Sequence, residues 1–259
     1  MIGLDGRRNL PRGKLLTESE IQFLSCILTF AYKTVIINII PYKGASAIYM
    51  DNQLFENTVK NFQSNWIGAK ERGACIKADQ SVYIRAGGND IWGKSDECMF
   101  YSVPTVGDFS IEARIHSFEK SDLYAKACLM ARESLDAESA HVAFLAFPDN
   151  AKRHNNNGGY EFQYRLTGGG KSVAIYPDDF ASQPPMYPVN YPDAWFKLVR
   201  ENDCFTAYVG TDGINWKEYC QFECSLSKKV HLGLAVCSHS KKKLTLAQFS
   251  DIKINSSKE

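Results

Sequence analysis

Short runs of alternating apolar and polar residues, separated by turn-forming residues, fill the sequence from Trp66 onward. The clearest run is 109–115, in which every second residue is apolar, and 205–209 and 230–236 repeat the pattern. Strict alternation predicts strands with one face on a core. Many short strands separated by turn signals, such as the three glycines at 168–170, predict an all-β sandwich of two antiparallel sheets.

Seven stretches of this region together resemble one family. They are AGGNDIWGKSDE (86–97), GDFSIEARI (107–115), YAKACLMARES (124–134), NGGYEFQYR (157–165), WFKLVREN (195–202), FTAYVGTDGINWK (205–217) and HLGLAVCSH (231–239). Their combination resembles the concanavalin A-like (lectin/glucanase) superfamily. Within it, they resemble a jelly-roll family of unknown function that includes modules of bacterial glycoside-degrading proteins and fungal proteins described as regulators of enolase. The resemblance covers about residues 62–255 and implies a jelly-roll sandwich with a flat or concave face, but no settled activity.

Residues 1–61 lack the strand-and-turn pattern, and we assign them to an N-terminal extension of a sandwich domain at 62–255. A basic start followed by the apolar stretch 21–40 resembles a signal peptide or anchor. Lys33 interrupts that stretch, and a charge near the centre of a membrane span is costly. Met50 offers an alternative start. We therefore expect a cytoplasmic protein without a membrane span, with secretion as the alternative.

Charge and cysteine usage exclude several classes of function. The 259 residues carry a formal net charge of only +1, so the chain lacks the basic excess that binding to nucleic-acid phosphate requires. Among eight cysteines, Cys128 and Cys237 lie in apolar runs and are expected to be buried thiols. Neither the cysteines nor the five histidines have zinc-ligand spacing. No cofactor is expected, although oxygen-bearing side chains in the segment 89–97 leave a structural calcium ion as an alternative.

The sequence lacks the motifs of the hydrolases that share such folds. No strand carries the Glu-x-Asp-x-x-Glu pattern that would set two carboxyl groups across a glycosidic bond. No Gly-x-Ser-x-Gly elbow is present for a serine nucleophile. We therefore assign no catalytic residue, and a glycan hydrolase or lyase with an unrecognised site is the second alternative.

Polar residues alternate with apolar residues on two segments that should be central strands. In 160–165 the aromatic rings point one way while a glutamate, a glutamine and an arginine point the other, and 124–132 shows a similar division. Long side chains of this kind can bind vicinal hydroxyl groups or a carboxylate. The alternative is an ordinary outer face or a structural ion-pair network. The candidate ligand-binding residues are Trp92, Lys126, Arg132, His141, Glu161, Gln163 and Arg165.

The preferred hypothesis is a non-catalytic binding module for a carbohydrate or glycoconjugate, with these residues on a solvated sheet face. On this hypothesis Arg165→Ala should weaken ligand binding and barely change stability. The first alternative is an intracellular protein-interaction module that regulates a metabolic enzyme.

Overall fold

The computed structural model describes residues 53–177 and 182–256, so the predicted signal or anchor segment lies outside the described residues. The described chain contains one short helix, α1 (53–59), and sixteen strands. In chain order the strands are β1 (Gln63–Ile67), β2 (Gly73–Ala78), β3 (Ser81–Ala86), β4 (Ile91–Trp92), β5 (Ser95–Asp96), β6 (Cys98–Val106), β7 (Phe109–Phe118), β8 (Lys126–Arg132), β9 (His141–Ala146), β10 (Tyr160–Arg165), β11 (Val173–Ile175), β12 (Ala194–Glu201), β13 (Cys204–Gly210), β14 (Trp216–Glu223), β15 (Lys229–Cys237) and β16 (Thr245–Ser256).

Fourteen of these strands form two seven-stranded antiparallel sheets. Sheet 1 has the order β1-β6-β15-β8-β9-β10-β11, and sheet 2 has the order β14-β13-β12-β7-β16-β3-β2. The remaining two strands, β4 and β5, form a small separate hairpin. Strands that follow each other in the chain often belong to different sheets, as β6 and β7 do, which is the jelly-roll arrangement. The predicted all-β jelly-roll sandwich of two antiparallel sheets is confirmed.

The core lies between the two sheets and is built from the apolar parity of each strand. In β7 the residues at 109, 111, 113 and 115 are all buried while those between them are half-exposed, as the alternation predicts. Phe144 of sheet 1 packs on Phe196 of sheet 2 with ring centroids 6.2 Å apart, and Phe196 stacks on Phe249 at 6.4 Å. These rings join the sheets through the hydrophobic effect and through ring packing.

Helix α1 adds to this core although its residues lie in the segment that the sequence assigned to the extension. Phe55 and Val59 are buried in the core cluster. The carbonyl oxygen of Val59 accepts hydrogen bonds from the backbone N–H of Phe62 (3.1 Å) and the hydroxyl of Tyr101 (3.3 Å). The helix therefore packs against the core next to β6. The boundary at residue 62 stays a prediction.

Two variants test how much of the N-terminal region the fold needs. Val59→Ala should lower the free energy of unfolding by about 1.5 kcal/mol, because two buried carbon groups are removed at about 0.8 kcal/mol each. A chain that begins at Met50 should keep the thermal midpoint of the full chain, as the strand pattern starts only later. Thermal and urea unfolding measure both. A large loss on removing residues 1–49 would mean that the region before α1 supplies core side chains.

Among the described residues, no helix has the length and hydropathy needed to cross a membrane.

Candidate functional site

Six of the seven candidate residues lie on the same side of sheet 1, facing away from the core. They are Lys126 and Arg132 of β8, His141 of β9, and Glu161, Gln163 and Arg165 of β10. The register places Arg132, His141 and Arg165 side by side across three neighbouring strands. The remaining candidate, Trp92, lies in the β4–β5 hairpin.

The prediction that this face is solvated is wrong. All six sheet residues are at most 5% exposed, because the β4–β5 hairpin contacts the face and an apolar cluster fills part of it. Ile91, Phe100, Leu145 and Phe147 belong to that cluster. Trp92, at 39% exposure, is the one candidate that is open to solvent. The outer face of sheet 1 is therefore a second interior layer.

The centre of this layer is the Asp96 cluster, which consists of Asp96, Arg132, His141 and Arg165, all fully buried. Oδ1 of Asp96 accepts a hydrogen bond from Nη2 of Arg165 at 2.7 Å. Its Oδ2 accepts from Nη1 of Arg165 at 2.9 Å and from Nη1 of Arg132 at 3.3 Å. Since both carboxylate oxygens are engaged with arginine, Asp96 is not available as a calcium ligand.

His141 lies between the two arginines without forming a hydrogen bond of its own. Its Nδ1 is 3.5 Å from Oδ2 of Asp96, and both ring nitrogens lack a hydrogen-bond partner. Burial, together with the charges of the two arginines, lowers the pKa of His141 from 6.5 to about 4 against the opposing effect of Asp96. His141 is therefore a neutral spacer at physiological pH.

Lys126 and Glu161 form a second buried polar group beside the hairpin. Nζ of Lys126 donates to Oδ1 of Asp90 at 2.6 Å and to the carbonyl of Ile91 at 2.9 Å, and it lies 5.7 Å from the centre of the Trp92 ring. Burial raises the pKa of Glu161, while the charge of Lys126 opposes the shift. Within residues 53–177 and 182–256, no group of three or more His, Cys, Asp or Glu side chains is arranged to hold a metal ion.

The outer face of sheet 2 contains an open cavity of about 660 Å³, which we call the sheet 2 groove. Strands β7, β12, β13, β14 and β16 provide its walls and floor. Polar and aromatic side chains of its lining include Ser110, Lys197, Glu201, Tyr208, Trp216 and Asn255. Glu201 and Asn255 are exposed, and the two aromatic residues and Lys197 are half-buried.

Cross-strand register explains why these groups meet. Lys197 is directly paired with Tyr208 of β13 on one side and with Glu112 of β7 on the other. Oε2 of Glu112 lies 3.5 Å from Nζ of Lys197, and its Oε1 accepts a hydrogen bond from Nζ of Lys253 at 2.9 Å. Nζ of Lys197 also lies 5.4 Å from the centre of the Trp216 ring. Two lysines thus share one carboxylate beside an aromatic surface.

Lys197, Tyr208 and Trp216 lie within the family motifs, but the sequence did not identify them as a site. Their alternation with buried neighbours, such as Phe196 and Leu198 around Lys197, places them on an outer face. Alternation cannot show that this face stays open while that of sheet 1 is covered.

Comparisons with known proteins agree with the architecture. A family model described as "protein of unknown function (DUF1349)" matches residues 69–257. A functionally unknown protein from Saccharomyces cerevisiae is 13% identical, with a TM-score of 0.56 over 78% of this chain and 99% of that chain. Carbohydrate binding module CBM66 from Bacillus subtilis is 15% identical, with a TM-score of 0.49 over 76% and 96%. Lectin I from Ulex europaeus is 9% identical, with a TM-score of 0.41 over 75% and 98%.

No curated protein matches the sequence. The family model spans most of the chain, and the yeast structure shares its two-sheet jelly-roll fold. The chain therefore belongs to the DUF1349 family of proteins of unknown function.

Proposed function

We propose that this protein is a saccharide-binding module and that the saccharide lies in the sheet 2 groove. The observation that carries the proposal is the open cavity of about 660 Å³ in which the rings of Tyr208 and Trp216 lie beside long polar side chains. Ligand sites of about 300–1,000 Å³ combine apolar surface with a few polar groups that fix the orientation of the ligand. The proposed binding surface is thus the outer face of sheet 2, whereas the sequence had predicted the outer face of sheet 1.

The chemistry of the groove matches that of a sugar ring. A sugar presents C–H groups on its faces and hydroxyl groups around its edge, so it needs an aromatic surface next to hydrogen-bonding groups. Tyr208 and Trp216 supply the rings, and each also has a polar hydrogen-bonding group. Asn255 supplies both a donor and an acceptor, while a lysine ammonium has three donors. Because Lys197 and Lys253 share the carboxylate of Glu112, donor capacity remains for hydroxyl groups.

Removing either ring of the groove should weaken polysaccharide binding at least about tenfold, which corresponds to about 1.4 kcal/mol. The variants are Tyr208→Ala and Trp216→Ala, and the measurement is retardation in native gels cast with neutral polysaccharides such as xylan, mixed-linkage glucan, galactomannan and levan. Thermal midpoints confirm that each variant is folded. Tyr83→Ala is the matched control, because Tyr83 is a half-exposed ring of β3 outside the groove.

Trp92→Ala tests the other face in the same gels. It should leave the retardation unchanged, because Trp92 belongs to the cover of sheet 1. Loss of binding in Trp92→Ala, with full binding in Tyr208→Ala, would contradict the groove and place the ligand at the hairpin. Release of reducing ends from a retained polysaccharide would indicate the glycan hydrolase. Absence of retardation by every polysaccharide would leave the protein-interaction module as the better hypothesis.

A further inference from the structure

A second cavity, of about 340 Å³, lies at the end of the sandwich next to the sheet 2 groove. We call it the end pocket. The segment 186–190 forms one wall, and the turn between β13 and β14 forms the other. Its lining includes Tyr187, Asn190, Thr211, Asn215, Trp216 and Lys217.

Trp216 lines both cavities, so the end pocket and the sheet 2 groove adjoin at this residue. Trp216 is paired with Gly210 of β13, where an added Cβ would lie 3.3 Å from the indole and 2.9 Å from the carbonyl oxygen of Asn215. Glycine at position 210 therefore gives the indole room to lie across its neighbouring strand.

The indole is also held from the side. The ring of Trp195 meets it edge-on, with centroids 6.4 Å apart. Trp195 is itself fixed by the β13–β14 turn, because a Cβ at Gly213 would lie 2.5 Å from its ring and Gly213 has a φ of +70°. Trp216 is thus a positioned ring between two cavities, as a preorganised binding site requires.

The far wall of the end pocket is fixed by Lys217. Its Nζ donates to the carbonyl of Met186 at 3.0 Å and lies 4.1 Å from the centre of the Tyr187 ring. The hydroxyl of Tyr187 donates to the carbonyl of Glu218 at 3.1 Å. Apart from Lys217, the pocket lining presents uncharged polar groups, from Asn190, Thr211 and Asn215, beside the aromatic rings.

We propose that the end pocket is a second sugar subsite and that the bound saccharide is an uncharged chain that crosses Trp216, with sugar units on both sides of the indole. This inference rests on the proposed function of the sheet 2 groove. Each cavity falls within the range of about 300–1,000 Å³ that is usual for a small ligand. A single terminal sugar would fill one cavity and leave the other empty, whereas a chain of linked sugars fills both and contacts Trp216 throughout.

The expected signature is an affinity that increases with chain length. Xylo-, cello- and fructo-oligosaccharides of two to six units are titrated calorimetrically into the full chain. For the series that binds, affinity should rise by about tenfold or more between the shortest and the longest member, as units enter the second subsite. Thr211→Trp, which fills the end pocket, should abolish this rise and leave the affinity for the shortest member unchanged. Asn190→Ala should reduce the rise.

Ile214→Ala is the control, since Ile214 is 79% exposed in the same turn and lines neither cavity. Binding that depends on Tyr208 but not on chain length would overturn the second subsite and leave the proposed function intact. An increase in affinity with chain length that persists in Thr211→Trp would likewise overturn the second subsite and leave the proposed function intact. If no oligosaccharide binds and no polysaccharide is retained by the full chain, both the subsite and the proposed function are wrong.

Discussion

Replacing Arg165 with alanine should lower the free energy of unfolding by about 3–5 kcal/mol, the usual loss when one partner of a buried ion pair is removed. Arg165 is fully buried and donates to both oxygens of Asp96. The same guanidinium donates to backbone carbonyls at residues 93, 137 and 139. Without it, Asp96 keeps a single arginine partner, and the buried carbonyl of Ser139 loses the donor that Arg165 supplies.

This expectation reverses the one that followed from the sequence, in which Arg165 lay on a solvated face and its removal barely changed stability. Urea unfolding of Arg165→Ala and of the parent chain measures the difference. Arg85→Ala is the matched control, because Arg85 is a half-exposed arginine on the outer face of sheet 2 and should cost no more than about 0.5 kcal/mol. A loss below about 1 kcal/mol for Arg165→Ala would show that the hairpin does not depend on the Asp96 cluster.

Acid should destabilise the protein through His141. Its pKa is about 4 in the folded chain and 6.5 in its ordinary state, because burial disfavours the charged ring. Between these two values the unfolded chain binds a proton that the folded chain does not, so the free energy of unfolding falls as the pH falls. From pH 7 to pH 4.5 the expected loss from this residue is about 2–3 kcal/mol.

His141→Gln isolates this contribution, because glutamine fills a similar space and does not titrate. Urea unfolding at both pH values should show a smaller loss in the variant than in the parent, by about 2 kcal/mol. His239 acts in the opposite direction. A hydrogen bond to Asp90 raises the pKa of His239, so its contribution is present at low pH and is lost as the pH rises. The contribution of His239 is the same in the parent and in His141→Gln, so it cancels when the two losses are compared. Equal losses would contradict the neutral, buried state of His141.

The sequence was sufficient to predict the sandwich and which residues share a face, because both follow from alternation. It predicted that Glu161, Gln163 and Arg165 point away from Tyr160 and Phe162, and they do. It could not predict what covers that face. The contact between Arg165 and Asp96 joins residues 69 positions apart, and no local pattern encodes it. The alternating pattern of a strand is the same whether its polar face is covered or exposed. Only the tertiary structure shows that Arg165 is buried.

The same limit explains why the sheet 2 groove was missed. Lys197 and Tyr208 have the polar parity of an ordinary outer face, and their pairing depends on the register between β12 and β13. Trp216 follows an irregular turn, and β14 has a register shift opposite Ala207 and Tyr208. The meeting of the three residues is therefore a consequence of strand order in the sheet, which separate segments of sequence do not reveal.

The unequal outer faces of the two sheets have a consequence for how such a domain can diverge. Residues of the Asp96 cluster depend on each other, so a substitution at one of them must be compensated by its neighbours before the fold is viable again. Exposed residues of the open groove, such as Glu201 and Asn255, contribute little to folding, and each can be exchanged separately. Selection can therefore change the exposed side chains of sheet 2 without disturbing the sealed face of sheet 1. We expect descendants of one ancestral domain to share the arginine–aspartate centre while differing freely around Tyr208 and Asn255.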